Sequence, residues 1–265
     1  MSRKPRIDRR SFVKMMSIGG ASFLTSPLLG QSFRDQSLAN EARRAGFGQE
    51  PDKGALIHWA RMKFRCDNGV TENWSVHPQG DFTLVQAIND QATTNVDEMW
   101  NVADVNDLDA MANFPLLFMH AESAPNLTPK EKANLREYML RGGFVYAEDC
   151  VNGYRMHGMR QNGPWDFFFV RMRDVMREIM PEARVERLPL DHPIFHCYYR
   201  LPNGQPHMQG KPHGGWGVTL KGRLMAYISP SDAHCGWVTT EWFGRKQSQE
   251  ALKIGTNVYL YAMTH

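Results

Sequence analysis

Between Pro115 and Cys150 the hydrophobic pattern changes twice, and no other feature restricts the fold so strongly. Pro115-Leu116-Leu117-Phe118-Met119-His120 is a continuous apolar run ending in a polar loop, as a strand buried on both faces would be. Thr128-Pro129-Lys130-Glu131 then reads as a helix start, with Thr128 at the N-cap, Pro129 in the first turn and Glu131 three residues after the cap. Ala133, Leu135, Tyr138 and Met139 supply the inner face. Gly142 and Gly143 end the helix, because glycine readily takes the left-handed conformation. The apolar segment Phe144-Val145-Tyr146-Ala147 follows and stops at Glu148-Asp149-Cys150. Strand, crossover helix and strand make a βαβ unit, expected to be right-handed. In open α/β sheets ligands bind outside the carboxyl ends of the strands, so two carboxylates and a thiol are expected at that crevice.

The flanking sequence extends the same architecture. Ala55 to Phe64 is a strand candidate, and Asp81 is placed to cap a helix carrying Phe82, Leu84, Val85 and Ile88. A weak strand is expected near Met99–Val102 and a short helix near Leu108–Ala112. Pro164 to Met180 reads as a helix whose stripe of Phe168, Phe169, Met172, Val175, Met176 and Ile179 packs into the core. Arg184–Leu188 is a short strand, and Asp191-His192-Pro193 lies in a loop. Residues 202–215, rich in Gly, Pro, His and Gln, read as a long mobile insertion. Gly217–Leu220 and Leu224–Ser229 form a hairpin, and Ser248 to Met263 a closing helix.

Charge divides the chain unevenly. The formal charge is +3, yet residues 1–32 hold six Lys/Arg against the single acid Asp8, so the rest is slightly acidic. No basic surplus remains to bind nucleic acid. Residues 1–32 follow the layout of an export signal: a basic start, a short apolar run from Met15 to Gly30, and small residues near Gly30–Ser32. Arg9-Arg10-Ser11-Phe12-Val13-Lys14 resembles a twin-arginine signal, which implies recognition of Arg9 and Arg10 by that export machinery. The apolar run is short and contains Pro27, so it is a poor permanent membrane span. The expected organisation is a signal over 1–32, a polar linker over 33–53 and one α/β domain over 54–265, working in the periplasm or otherwise outside the cytoplasm.

Four segments together, RGGFVYAEDC, LPLDHPIF, GRLMAYISPSDAHCGW and GTNVYLYA, resemble the bacterial family called domain of unknown function 4159 across roughly residues 54–265. The resemblance implies an exported or membrane-attached protein. It also implies a class I glutamine amidotransferase-like fold: a flavodoxin-like, mainly parallel α/β sheet with helices on both faces. It implies no reaction. The amidotransferase nucleophile sits in a Gly-x-Cys-x-Gly turn followed downstream by His-x-Glu. Here Cys150 lacks the flanking glycines, and the only such pair, His120-Ala121-Glu122, lies upstream. Glutamine hydrolysis by that route is therefore not expected.

The candidate ligand-binding residues are those expected at one rim of the sheet: His120, Asp149, Asp191, His192, Asp232 and Trp237. Glu148 and Asp149 are adjacent and so point to opposite faces, with Asp149 expected in the crevice and Glu148 free to cap the next helix. Asp149 and His192 are the candidate bases. Each also has a plain structural alternative, as a cap, a turn residue or a packed ring. Cys150 and Cys235 both follow strands expected to be neighbours, and an oxidising compartment favours their pairing as a disulfide. An Asp/His metal set from Asp149, Asp232 and His234 is too scattered to count as a motif; no Cys-x-x-Cys occurs, and no metal is expected. The residues single out no cofactor. The leading expectation is ligand binding at the carboxyl rim of the sheet. The alternatives are a hydrolase acting on cell-envelope sugar or peptide material, and an envelope scaffold whose 202–215 loop meets a partner.

Overall fold

A computed structural model describes residues 57–67, 73–92, 94–151 and 166–265. The signal and linker segments lie outside the described residues, as does the first part of the Pro164–Met180 helix. Within them the central βαβ unit forms as its sequence dictates. Strand β3 (Leu116–Ala121) leads to helix α3 (Pro129–Leu140) and then to strand β4 (Phe144–Asp149). Thr128 Oγ1 accepts from the Glu131 amide at 3.3 Å, and Glu131 Oε2 accepts from the Thr128 amide at 2.6 Å. These reciprocal bonds satisfy two amides that the helix itself cannot. Gly142, at φ 114°, reverses the chain so that β4 enters parallel to β3.

Around this unit a seven-stranded sheet assembles in the order β2-β1-β3-β4-β7-β6-β5. Strands β1 (Ile57–Lys63), β2 (Val96–Asp104), β3, β4 and β7 (Arg223–Ser229) are parallel. Strands β6 (Trp216–Leu220) and β5 (Arg184–Arg187) extend the sheet antiparallel beyond β7. The hairpin between β6 and β7 turns at Lys221 (φ 50°) and Gly222 (φ 80°), the two positive values that a type I′ turn needs. The five parallel strands reverse their order between β1 and β3, the kind of switch point at which such sheets open a crevice.

The helices are α1 (Gln79–Ala92), α2 (Leu108–Ala112), α4 (Phe167–Ile179), α5 (Ala233–Val238), α6 (Thr240–Phe243) and α7 (Arg245–Thr264). The apolar stripe of α4 is buried as its spacing predicts, from Phe168 to Ile179. Helix α7 packs on α5, where Trp237 Nε1 donates to the Ala251 carbonyl at 2.8 Å. None of the helices among the described residues is long and apolar enough to cross a membrane.

Two expectations need correction. Helix α1 starts at Gln79, so Asp81 lies inside its first turn and does not cap it; the side chain is buried and turned toward the sheet. The 202–215 insertion is tied to the end of the sheet. Gln205 accepts from the Tyr227 hydroxyl, the Met208 amide donates to Ser231, Gln209 donates to Asp232 and to the Val151 carbonyl, and His213 pairs with Asp166 at 2.9 Å. Its glycines and prolines shape a loop that closes over the carboxyl ends of β4 and β7.

Candidate functional site

Strand register builds the first part of the site. Phe118, Tyr146 and Tyr227 are register partners across β3, β4 and β7, and Arg61 of β1 pairs with Phe118. Two residues further along, on the same face, His120, Glu148 and Ser229 form the next row. His120 Nδ1 lies 3.1 Å from the Glu148 carbonyl and 3.3 Å from Glu148 Oε2. Glu148 Oε1 accepts from the Ser229 hydroxyl at 3.1 Å and from the Ala233 amide at 2.6 Å, which fixes the start of α5. All three side chains are fully buried.

A second network meets this row from β1, α1 and α5. Asp81 accepts from Arg61 Nε (2.8 Å) and Nη2 (2.6 Å) and from Trp59 (2.8 Å) and Trp100 (3.0 Å), and stands 2.9 Å from His234 Nε2. Arg61 also donates to the carbonyls of Trp74 and Val76, and its guanidinium lies against the rings of Trp100 and Phe118. Burial alone would raise the Asp81 pKa; Arg61 and His234 outweigh it and hold the carboxyl well below its ordinary range. Burial, only partly opposed by Asp81, brings His234 down to about 4, and burial with the neighbouring His234 and Arg61 lowers His120 well below its ordinary value.

One of the two tautomers is fixed by its neighbour. His120 Nδ1 faces the Glu148 carbonyl, an obligate acceptor, and so carries the proton of a neutral ring. His234 Nε2 lies 2.9 Å from the Asp81 carboxylate, an acceptor, and 3.0 Å from Arg61 Nη2, a donor, so either tautomer finds a partner there. The remaining nitrogens, His120 Nε2, a lone pair, and His234 Nδ1, are buried, and neither has a hydrogen-bond partner among the described residues. The two rings stand 3.9 Å apart, centre to centre, beneath Trp237 and Phe118.

The third part is acidic and thiol-bearing. Burial, with Asp232 and Asp149 beside it, raises the Glu148 pKa well above the usual range. Burial does the same for Asp149 and brings Asp232 up to about 7. Asp149, on the other face of β4, accepts from the Phe169 amide at the start of α4 through Oδ2 (3.0 Å), while Oδ1 has no partner. The expected roles of the two adjacent carboxylates are therefore exchanged: Asp149 steadies the next helix and Glu148 joins the histidines. Cys150 and Cys235 lie with their sulfurs 3.7 Å apart, both as free thiols. The two sulfurs are in contact, with no S–S bond between them. The contact with Cys235 and burial raise the Cys150 thiol. Its contact with Cys150 acts the other way on Cys235, yet burial and Asp232 bring that thiol up to about 12. Neither resembles an activated nucleophile. The ligand atoms of His77, Cys150 and Cys235 lie within 4.8 Å of one another.

Of the residues singled out in the sequence, His120, Asp149, Asp232, Cys150 and Cys235 gather at the carboxyl ends of β3, β4 and β7. Asp191 and His192 do not. Asp191 is exposed; His192 caps a 3-10 turn by accepting from the Ile194 amide (3.2 Å) and packs on Tyr261. Tyr261 lies ten residues along α7 from Ala251, about 15 Å at helical rise. Ala251 is the residue that meets Trp237 at the rim, so His192 stands near the opposite end of α7. A cleft of about 410 Å³ opens there, lined by residues that include Pro193, Cys197, Tyr198 and His265. Trp237 is at the rim but wholly buried, with its N–H bonded to Ala251, so it packs and offers no exposed face for stacking. Sequence reading missed Arg61 altogether. The available signal was a lone arginine inside the apolar strand IHWARMK, since a buried charge requires a partner.

Order of strands and buried polar cluster together define an α/β domain with a mixed, mostly parallel sheet that carries this cluster at its carboxyl rim. The chain belongs to the family described as domain of unknown function (DUF4159), whose model matches residues 59–263 and so spans nearly every element named above. No curated protein matches it.

Proposed function

We propose that this chain is an exported, amidotransferase-like domain that binds a small ligand rich in N–H or O–H donors at the carboxyl rim of its sheet. The observation that carries this reading is the pair of buried imidazole nitrogens, His120 Nε2 and His234 Nδ1, which have no hydrogen-bond partner among the described residues. A buried polar atom without a partner costs about 1–3 kcal/mol, and a ligand donor recovers it. Polyols, sugars and amines present such donors in pairs. Binding is favoured over hydrolysis because the lowered pKa values make both rings weak bases near neutrality. Glutamine hydrolysis is disfavoured because Cys150 is buried, protonated and paired with Cys235. Export is supported by the basic start, apolar run and Arg9-Arg10 of residues 1–32.

The test is a thermal-shift screen of the full chain against envelope sugars, polyols and amines. A true ligand at about 100 times its Kd adds about 2.7 kcal/mol of stability and raises Tm accordingly. The shift should vanish in His120→Gln and His234→Gln. If no compound of these classes moves Tm, or if the shift survives both substitutions, the reading is wrong. Export is checked separately by fusing residues 1–32 to a reporter, where replacing both Arg9 and Arg10 with Lys should stop secretion of the folded cargo.

A further inference from the structure

Beside the imidazole pair lies a set of groups that the ligand reading does not use. Cys150 leaves the end of β4, Cys235 sits in the first turn of α5, and His77 comes from the segment just before α1. Three separate stretches of chain thus place two sulfurs and an imidazole nitrogen within 4.8 Å of one another. His77 reaches this position with a left-handed backbone, φ 49°, although it is not glycine. Such a conformation persists only where the surroundings enforce it, and it is concentrated at functional sites.

We infer that Cys150, Cys235 and His77 form a zinc site. The geometry agrees with that ion. Zinc binds thiolate at about 2.3 Å and imidazole at about 2.0–2.1 Å in a tetrahedral arrangement, which separates two sulfurs by about 3.8 Å. The sulfurs here stand 3.7 Å apart, so the ion enters without moving either strand end. A disulfide requires a separation of about 2.05 Å, much shorter than the spacing here. Two thiolates neutralise the divalent ion, which suits a site from which water is largely excluded. Binding releases one proton from each thiol as two S–Zn bonds form, and no electron is transferred. Soft sulfur with nitrogen selects zinc over magnesium or calcium, which prefer oxygen. Neither His120 nor His234 is a ligand, so this inference and the ligand reading stand or fall separately.

The experiment uses the reduced full chain, titrated anaerobically with Co²⁺ and then with Zn²⁺. One equivalent of cobalt should produce a thiolate-to-cobalt charge-transfer band, and one equivalent of zinc should bleach it. Cys150→Ser with Cys235→Ser should abolish the band. His77→Gln, at a half-buried position that leaves the core intact, should keep the band but weaken metal binding by about 100-fold. Circular dichroism confirms that each variant is folded. The inference is overturned if the reduced, folded wild-type chain gives no band. It is overturned equally if the band survives in the double serine variant, which would place the metal on Cys66 or Cys197, or if His77→Gln binds as tightly as wild type. Recovery of the zinc-treated protein with a Cys150–Cys235 disulfide in place of metal also overturns it. Because the titration reads metal alone, its failure leaves the thermal-shift result with sugars, polyols and amines unaffected.

Discussion

Two buried polar groups lie side by side at the rim, and they are built on opposite principles. Around Asp81 every charge is answered: Arg61 opposes the carboxylate, two indole N–H groups and His234 complete its shell, and the guanidinium is itself satisfied by backbone carbonyls. Around Glu148, Asp149 and Asp232 three carboxyl groups gather with no Lys or Arg paired to them among the described residues, and burial raises all three pKa values. The first group is a brace that joins β1, α1, β2 and α5. The second resembles a site, because protein interiors rarely keep acids together unless something is bound, protonated or transferred there. Proximity alone therefore does not identify function; charge balance separates the two.

The largest expected effect tests the brace. Asp81→Ala leaves Arg61 buried with no counter-charge, a loss of about 3–5 kcal/mol for a broken buried pair. Urea unfolding monitored by tryptophan fluorescence measures it, and a loss below about 1 kcal/mol would erase the distinction between the two groups. Next comes pH. The folded-state pKa of Asp81 is depressed, so its contribution is complete above the ordinary carboxylate value near 4 and is lost as pH falls toward the folded value. The groups facing it are Arg61, His234, Trp59 and Trp100, of which only His234 also titrates in the acid range, at about 4. Below pH 4 the wild type should lose about 1.4 kcal/mol per pH unit through Asp81. Asp81→Asn should show a shallower acid limb, and parallel limbs in the two proteins would contradict the assignment.

A smaller effect calibrates both. Thr128→Ala removes a cap distant from the rim and should cost about 1 kcal/mol, readable as a shifted urea midpoint with unchanged slope. That cap also shows what a sequence makes legible. Thr128, Glu131, Gly142 and Gly222 act on neighbours a few residues away, so their roles follow from local spacing. His120, Asp149, Asp232, Cys150 and Cys235 were placed at the rim because each ends, or closely follows, a recognisable strand. The brace was not legible because its members are linked across 153 or 173 residues, as Asp81 to His234 and Arg61 to His234 are. Asp81 was mistaken for a cap for the same reason: an acid at a helix start satisfies a local rule whether or not its side chain turns inward. Asp191 and His192 failed in the opposite sense. They lie in a conspicuous polar motif after β5, which two successive antiparallel pairings leave running in the same direction as β7; but β5 is the sheet's edge, separated from β7 by β6, and the chain that follows packs His192 on Tyr261 of α7.

The smallest effect offers the sharpest contrast. Glu148→Gln preserves the shape of a carboxyl group and removes its ability to ionise. Burial, Asp232 and Asp149 already favour the neutral acid, so glutamine resembles the form that is present. Its carbonyl oxygen can still accept from Ser229 and from the Ala233 amide. The amide NH₂ would then face His120 Nδ1–H, a donor meeting a donor, unless the imidazole turns its proton to Nε2. The Glu148 backbone carbonyl, 3.1 Å from Nδ1, opposes that change, so the ring keeps its tautomer and shifts away from the amide instead. The variant should thus unfold within about 1 kcal/mol of wild type, the scale of one altered hydrogen bond. Its response to sugars, polyols and amines should nevertheless fall, because the donor–donor contact displaces the His120 ring and with it Nε2. A stability loss comparable to that of Asp81→Ala would mean that Glu148 is ionised and belongs to the brace. Unchanged stability with unchanged ligand response would mean that His120 Nε2 takes no part in recognition.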